Sequence, residues 1–131
     1  MKKLFVLFIA AIACWTTATA QNAPGITFDT TVHDFGTFHE EHGNVTYTFE
    51  FTNTGKSDLI VQNVNASCGC TTPNWTKAPV KPGERGIVEA TYNPTNRPGA
   101  FTKTITVTTN AETVTLTIKG EVIPKVQNRE N

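Results

Sequence analysis

The stretch NVTYTFEFTN, residues 44–53, decides the fold. Successive side chains of an extended chain point to opposite faces, so Val45, Tyr47, Phe49 and Phe51 share one side and Thr46, Thr48, Glu50 and Thr52 the other. One face is apolar and the other is wet, which predicts a half-buried β-strand.

The same period of two returns in AFTKTITVTT, residues 100–109, where Phe101, Ile105 and Val107 oppose threonines, and in TVTLTIKG, residues 113–120. Only Asn110, Ala111 and Glu112 separate these runs, a spacing that predicts an antiparallel hairpin. Further strands are expected at Ile26 to Val32, Leu59 to Ala66 and Gly86 to Tyr92, with a short one at Phe35 to Phe38. The breaks NTGKSD, KPGE and NPTNRPG supply residues that tolerate positive φ or preset the φ of a turn. The stretch from Thr71 to Arg85, interrupted by Pro73, Pro79 and Pro82, reads as a loop. No window of a dozen residues carries a 3.6-residue period. About seven short strands without a covering helix predict an all-β fold, a single antiparallel immunoglobulin-like β-sandwich.

Residues 1–20, MKKLFVLFIAAIACWTTATA, have a basic start, an apolar run and a small-x-small ending, the layout of a secretory signal peptide. The apolar run is about half the roughly 20 residues that a spanning helix needs, so no transmembrane segment is expected. A rival cut lies at Ala11-Ile12-Ala13-Cys14, a loose lipoprotein box that would place a lipid anchor on Cys14; the Ala20 site is the better match. The domain organisation that follows is a signal peptide at 1–20, a linker at 21–24, the sandwich at 25–124 and a polar tail at 125–131. The expected location is secreted or periplasmic.

The whole chain balances eleven basic against eleven acidic residues. Loss of Lys2 and Lys3 leaves nine against eleven, a net of minus two, which excludes electrostatic attraction to nucleic acid or anionic membrane. The remaining length suits one domain, burying roughly two thirds of its unfolded surface.

The motifs HDFG at 33–36, FTNTG at 51–55, SCGCT at 67–71, PGE at 82–84, YNP at 92–94 and IKGEV at 118–122 form an ordered set. Together they resemble the bacterial domain-of-unknown-function family 1573, from about Ile26 to Val122. The resemblance implies an immunoglobulin-type sandwich related to hydin-like and major-sperm-protein-like domains, of a kind frequent in exported proteins of Bacteroidetes-type bacteria. It implies no established activity, and fold alone does not confer one.

Cys68 and Cys70 are the two cysteines outside the leader, in ASCGCTTPNW at 66–75. In an extended strand their Cα atoms would stand roughly 6.6 to 7.2 Å apart, at or beyond the upper end of the roughly 4.4 to 6.8 Å that a disulfide accepts. A bridge therefore needs a turn, and Gly69 is expected to supply it through positive φ. So small a ring restrains little of the unfolded chain and is easier to reduce than an ordinary structural bridge. Three readings stay open: an inert disulfide or buried thiol pair, thiol redox exchange, and metal binding. Exchange lacks a Cys-x-x-Cys motif and a helix N-terminus to lower a thiol pKa. Metal binding would pair the two thiolates, for copper as Cu(I) or for zinc, with His33, His39 or His42, provided that HDFGTFHEEH at 33–42 folds against them. That segment otherwise reads as a solvated turn, and Gly36 as a backbone device.

Trp75 is expected to cap the open end of the sandwich or, exposed near the cysteines, to anchor a partner. Asn44, Asn65 and Asn74 begin glycosylation acceptor patterns that an Asn- and Thr-rich chain produces by chance. Ser57 and Ser67, the only serines, lie in no nucleophile motif, and no acid–base pair or phosphate-cradling loop is visible. The chain therefore reads as a non-enzymatic exported module that binds an envelope protein or glycan, with strand addition as one binding mode, or serves as a scaffold of the cell envelope.

Overall fold

The computed structural model describes residues 22–126. The expected leader with its alternative lipidation site at Cys14, and the end of the expected polar tail, lie outside the described residues.

Among the described residues, eight strands form two four-stranded sheets. In chain order they are β1 (Ile26–Phe28), β2 (Val32–His39), β3 (Val45–Asn53), β4 (Val61–Ala66), β5 (Thr71–Trp75), β6 (Arg85–Tyr92), β7 (Gly99–Thr109) and β8 (Thr113–Ile123). The first sheet runs β1-β3-β6-β5 and the second β2-β8-β7-β4. The expected immunoglobulin-like sandwich is present.

Alternation builds the core as expected. Phe49 and Phe51 on β3 and Val88 and Ala90 on β6 meet Ile105 and Val107 on β7 and Leu116 and Ile118 on β8, all fully buried. Val45 and Tyr47, nearer the strand end, are half-buried. Gly86 on β6 lies directly beneath the Phe51 ring, so the absence of a side chain there makes room for the aromatic. At one end of the sandwich Tyr92 of the first sheet stacks on Phe101 of the second at 3.9 Å, and Phe38 meets Phe101 edge-on. The β7–β8 hairpin closes on Thr109, whose hydroxyl donates to the Glu112 carbonyl and accepts from the Ala111 and Glu112 amides.

Three features depart from the expectation. The run Ile26 to Val32 is not one strand. β1 pairs antiparallel with β3, residues 29–31 change sheets, and β2 pairs with β8 in parallel. The N-terminal segment thus covers one edge of both sheets in turn, while the other five strand pairs are antiparallel. Secondly, Phe35 to Phe38 belongs to an eight-residue strand bent by a bulge between Asp34 and Thr37. Gly36 sits in the bulge with φ of 70°, its amide donating to Asp34 Oδ1 at 2.8 Å, the backbone role expected of it. Thirdly, the expected loop from Thr71 contains β5. Pro73 is tolerated because β5 is an edge strand, with only one side of its backbone committed to β6.

Asn53 organises the end opposite Tyr92. Its side chain is 1% exposed. Nδ2 donates to the carbonyls of Ser57 (2.7 Å) and Val80 (2.9 Å), and Oδ1 accepts from the amides of Gly25 (3.2 Å) and Gly55 (2.9 Å). One amide thereby ties the N-terminal approach, the turn after β3 and the segment before β6.

Candidate functional site

The Cys68-Gly69-Cys70 turn joins β4, an edge of the second sheet, to β5, an edge of the first. It is the corner at which the chain changes sheets. The corner is held from both sides: Ser67 N donates to Thr104 O (2.8 Å), Thr104 N donates to Ser67 Oγ (3.0 Å), and Asn93 N donates to Cys70 O (2.9 Å). A further amide, Thr71 N, donates to Cys68 O and tightens the turn. The Cα atoms of the cysteines stand 5.3 Å apart, within bonding range, and the sulfurs are joined in a disulfide.

The turn forms differently from the expectation. Positive φ occurs at Gly36, Gly43, Gly83 and Gly99 and at Asn96, and Gly69 is not among them. Nothing lies within 4 Å of the place where a Cβ on Gly69 would stand. Neither backbone conformation nor crowding requires glycine at 69.

The two sulfurs differ in environment. Cys70 is 3% exposed and packs in the core, with Sγ 3.8 Å from Thr71 Oγ1. Cys68 is half-buried, and its Sγ accepts from the Cys70 amide at 3.0 Å.

The histidines do not join the cysteines. β2, which carries His33 and His39, and β4, which leads into the cysteine turn, are opposite edges of the second sheet, roughly 14 Å apart at three strand spacings. His33 is half-buried and spans the sheets, its ring stacked on Tyr47 at 3.6 Å with Phe35 edge-on at 4.7 Å. Burial holds its pKa below the usual value, against a smaller opposing pull from Asp34. His39 and His42 are exposed, 5.7 Å apart between ring centroids, at the short 3-10 turn Glu40–His42. Among the described residues no three His, Cys, Asp or Glu side chains converge on a metal-sized point. The expected Cys–His set for copper or zinc is therefore not assembled, because the topology separates its halves.

Trp75 is also placed differently. It lies at the far end of β5, paired with Val88 and packed at the margin of the core, with Lys77 Nζ 2.8 Å above its ring centroid. Four residues of extended chain, Thr71 to Asn74, separate it from Cys70, so it does not adjoin the sulfurs.

Two features had weaker sequence signals. Glu40 accepts from the amides of Asn96 (2.7 Å) and Lys125 (3.1 Å), pinning the 3-10 turn to the β6–β7 loop and to the chain after β8. The Asn96 bond, then the Lys125 bond, holds its carboxyl below the usual range. The other is the outer face of the second sheet. Thr104 pairs with Thr117, Thr106 with Thr115 and Thr108 with Thr113 across β7 and β8, while Asn65 and Asn63 of β4 stand beside Thr106 and Thr108. The threonine rows are legible as alternation, but their union with the asparagines depends on β4 joining this sheet. These three rows carry hydroxyls and amides and no charge; the next row, Thr102 with Lys119, begins the charged part of the face.

No helix among the described residues is long and apolar enough to cross a membrane. The comparison with curated proteins gave no match. Among solved structures, the chain is similar to a protein of unknown function from Porphyromonas gingivalis W83, with a TM-score of 0.68 and 18% identity over 82% of this chain and 50% of that one. It thus spans about half the length of that protein. It is also similar to an ASH / PapD-like domain of human CEP192, with a TM-score of 0.61 and 12% identity over 84% and 92% of the two chains. A third similarity is to the Vibrio cholerae VesB protease, with a TM-score of 0.60 and 16% identity over 76% and 32%. At these identities the likeness concerns the fold alone. The family model described as "Protein of unknown function (DUF1573)" matches residues 26–122, so the chain belongs to that family.

Proposed function

We infer that this chain is an exported binding module of the bacterial cell envelope that presents the outer face of its β4–β7–β8 sheet to a neutral glycan. The observation that carries the reading is the uncharged surface of three threonine pairs flanked by Asn63 and Asn65. Hydroxyl and amide groups donate and accept hydrogen bonds without an ionic partner, which suits a ligand made of neutral hydroxyls. Export rests on the layout of residues 1–20.

Strand addition is a poor alternative, because every open edge is blunted. β1 has three residues, β2 is bulged at Asp34–Thr37, β4 shifts register between Val61 and Asn63, and β5 carries Pro73. These are the devices by which sheets discourage an added strand.

The test is affinity electrophoresis of the mature chain through gels containing neutral or acidic envelope polysaccharides. Retardation by a neutral glycan, abolished by Asn65→Lys together with Thr106→Glu at unchanged melting temperature, is expected. Absence of retardation, or equal retardation of the variant, refutes the assignment; capture of an envelope protein through the same face replaces the glycan by a protein ligand.

A further inference from the structure

We propose that Cys68–Cys70 is a thiol–disulfide exchange centre that oxidises dithiols, with Cys68 as the sulfur that meets the partner. The bridge spans one intervening residue, so it removes little freedom from the unfolded chain. By linkage, the fold then favours the closed bridge over the dithiol only as much as the bridge favours the fold. A bridge that stabilises little is open to reduction at little cost to the structure.

Three features of the corner suit exchange. The sulfurs are unequal: Cys68 is reachable while Cys70 is 3% exposed. Gly69 is exposed, has no positive φ, and faces no atom within 4 Å of an added Cβ, so its bare backbone leaves the approach to Cys68 open. Finally, Ser67 is tied to Thr104 and the Cys70 carbonyl to the Asn93 amide by bonds that do not involve the sulfurs, so the cysteines stay opposed after reduction and the bridge recloses in place.

A thiolate of the partner attacks Cys68 Sγ. The new S–S bond forms as the Cys68–Cys70 bond breaks, and the electron pair passes to Cys70 Sγ, which takes up a proton beside the Thr71 hydroxyl. The partner's second thiolate then attacks its own sulfur in the mixed disulfide. That step closes the partner's disulfide and releases Cys68 as a thiolate able to accept a hydrogen bond from the Cys70 amide. Two electrons have moved from the partner dithiol to Cys68 and Cys70; of the partner's two protons, one ends on Cys70 and the other passes to solvent while Cys68 remains a thiolate. A small-molecule disulfide resets the centre by the reverse steps.

The experiment exposes the oxidised mature chain to reduced glutathione and, separately, to a synthetic dithiol peptide, quenches with N-ethylmaleimide, and maps adducts by mass spectrometry. The expected result is a glutathione adduct at Cys68 over Cys70 by roughly ten-fold or more, with oxidised peptide formed one for one with Cys68–Cys70 dithiol. Gly69→Leu should slow the reaction by roughly ten-fold through obstruction, at an unchanged melting temperature. A bridge that persists in millimolar glutathione, adducts shared equally between the sulfurs, or a Gly69→Leu rate equal to wild type overturns the proposal. Adduct mapping on wild type decides the matter even if a variant fails to fold.

Discussion

Replacing Asn53 by alanine removes a side chain that joins three separate connections. Four hydrogen bonds disappear, to Gly25, Gly55, Ser57 and Val80. Their worth is unequal. The Val80 carbonyl is buried but also accepts from the Leu59 amide at 2.9 Å, so it keeps a partner. The groups at Gly25, Gly55 and Ser57 are partly buried, and water replaces some of what they lose. At about 0.5 to 1.5 kcal/mol for each bond, the loss sums to about 3 kcal/mol. For a domain of this size that is a fall in melting temperature of roughly 12 to 20 °C. Aspartate is no remedy: it preserves an acceptor for Gly25 and Gly55 but turns a carboxylate oxygen toward two carbonyls. Urea and thermal unfolding of wild type, Asn53→Ala and Asn53→Asp make the measurement, with Thr46→Ala as control. Thr46 shares one exposed hydrogen bond with Thr91, so its loss should stay within about 0.5 kcal/mol. A loss below about 1 kcal/mol for Asn53→Ala, at unchanged m-value, would refute the view that this amide organises that end of the sandwich.

Gly86→Ala drives a methyl group into the Phe51 ring and should cost about 1 to 3 kcal/mol, read by urea unfolding. Gly69→Ala should leave stability within about 0.5 kcal/mol and the disulfide intact by intact mass, because the position has room and an ordinary φ. The oxidised and dithiol forms should differ by less than about 2 kcal/mol in unfolding free energy, the small entropic effect of a short span. His33 has a depressed pKa in the folded state, so between that value and about 6.5 the unfolded chain binds more protons. Its contribution is therefore complete above about pH 6.5 and is lost as pH falls toward the folded value. His33→Phe should flatten that part of the stability–pH curve; an unchanged slope would show that the stacked imidazole is not the titrating group.

Period-two alternation made β3, β7 and β8 legible, since which side chains share a face is a local property of extended chain. The β7–β8 turn was legible for the same reason. β5 was not, because Pro73 forbids a central strand but not an edge one, and edge position is a property of the sheet. Nor did the single run from Ile26 to Val32 reveal a change of sheet at residues 29–31, which depends on where β3 and β8 lie.

The candidate sites divide along the same line. The sequence by itself determined that two cysteines one residue apart need a turn to bond, and that the span between them restrains little chain. Only the tertiary structure decided that one sulfur is buried and the other reachable, that the histidine-bearing strand β2 lies at the opposite edge of the sheet from β4, and that Trp75 sits at the far end of β5. Ring size is fixed by covalent connectivity, whereas burial and neighbourhood come from pairings between residues far apart in the chain.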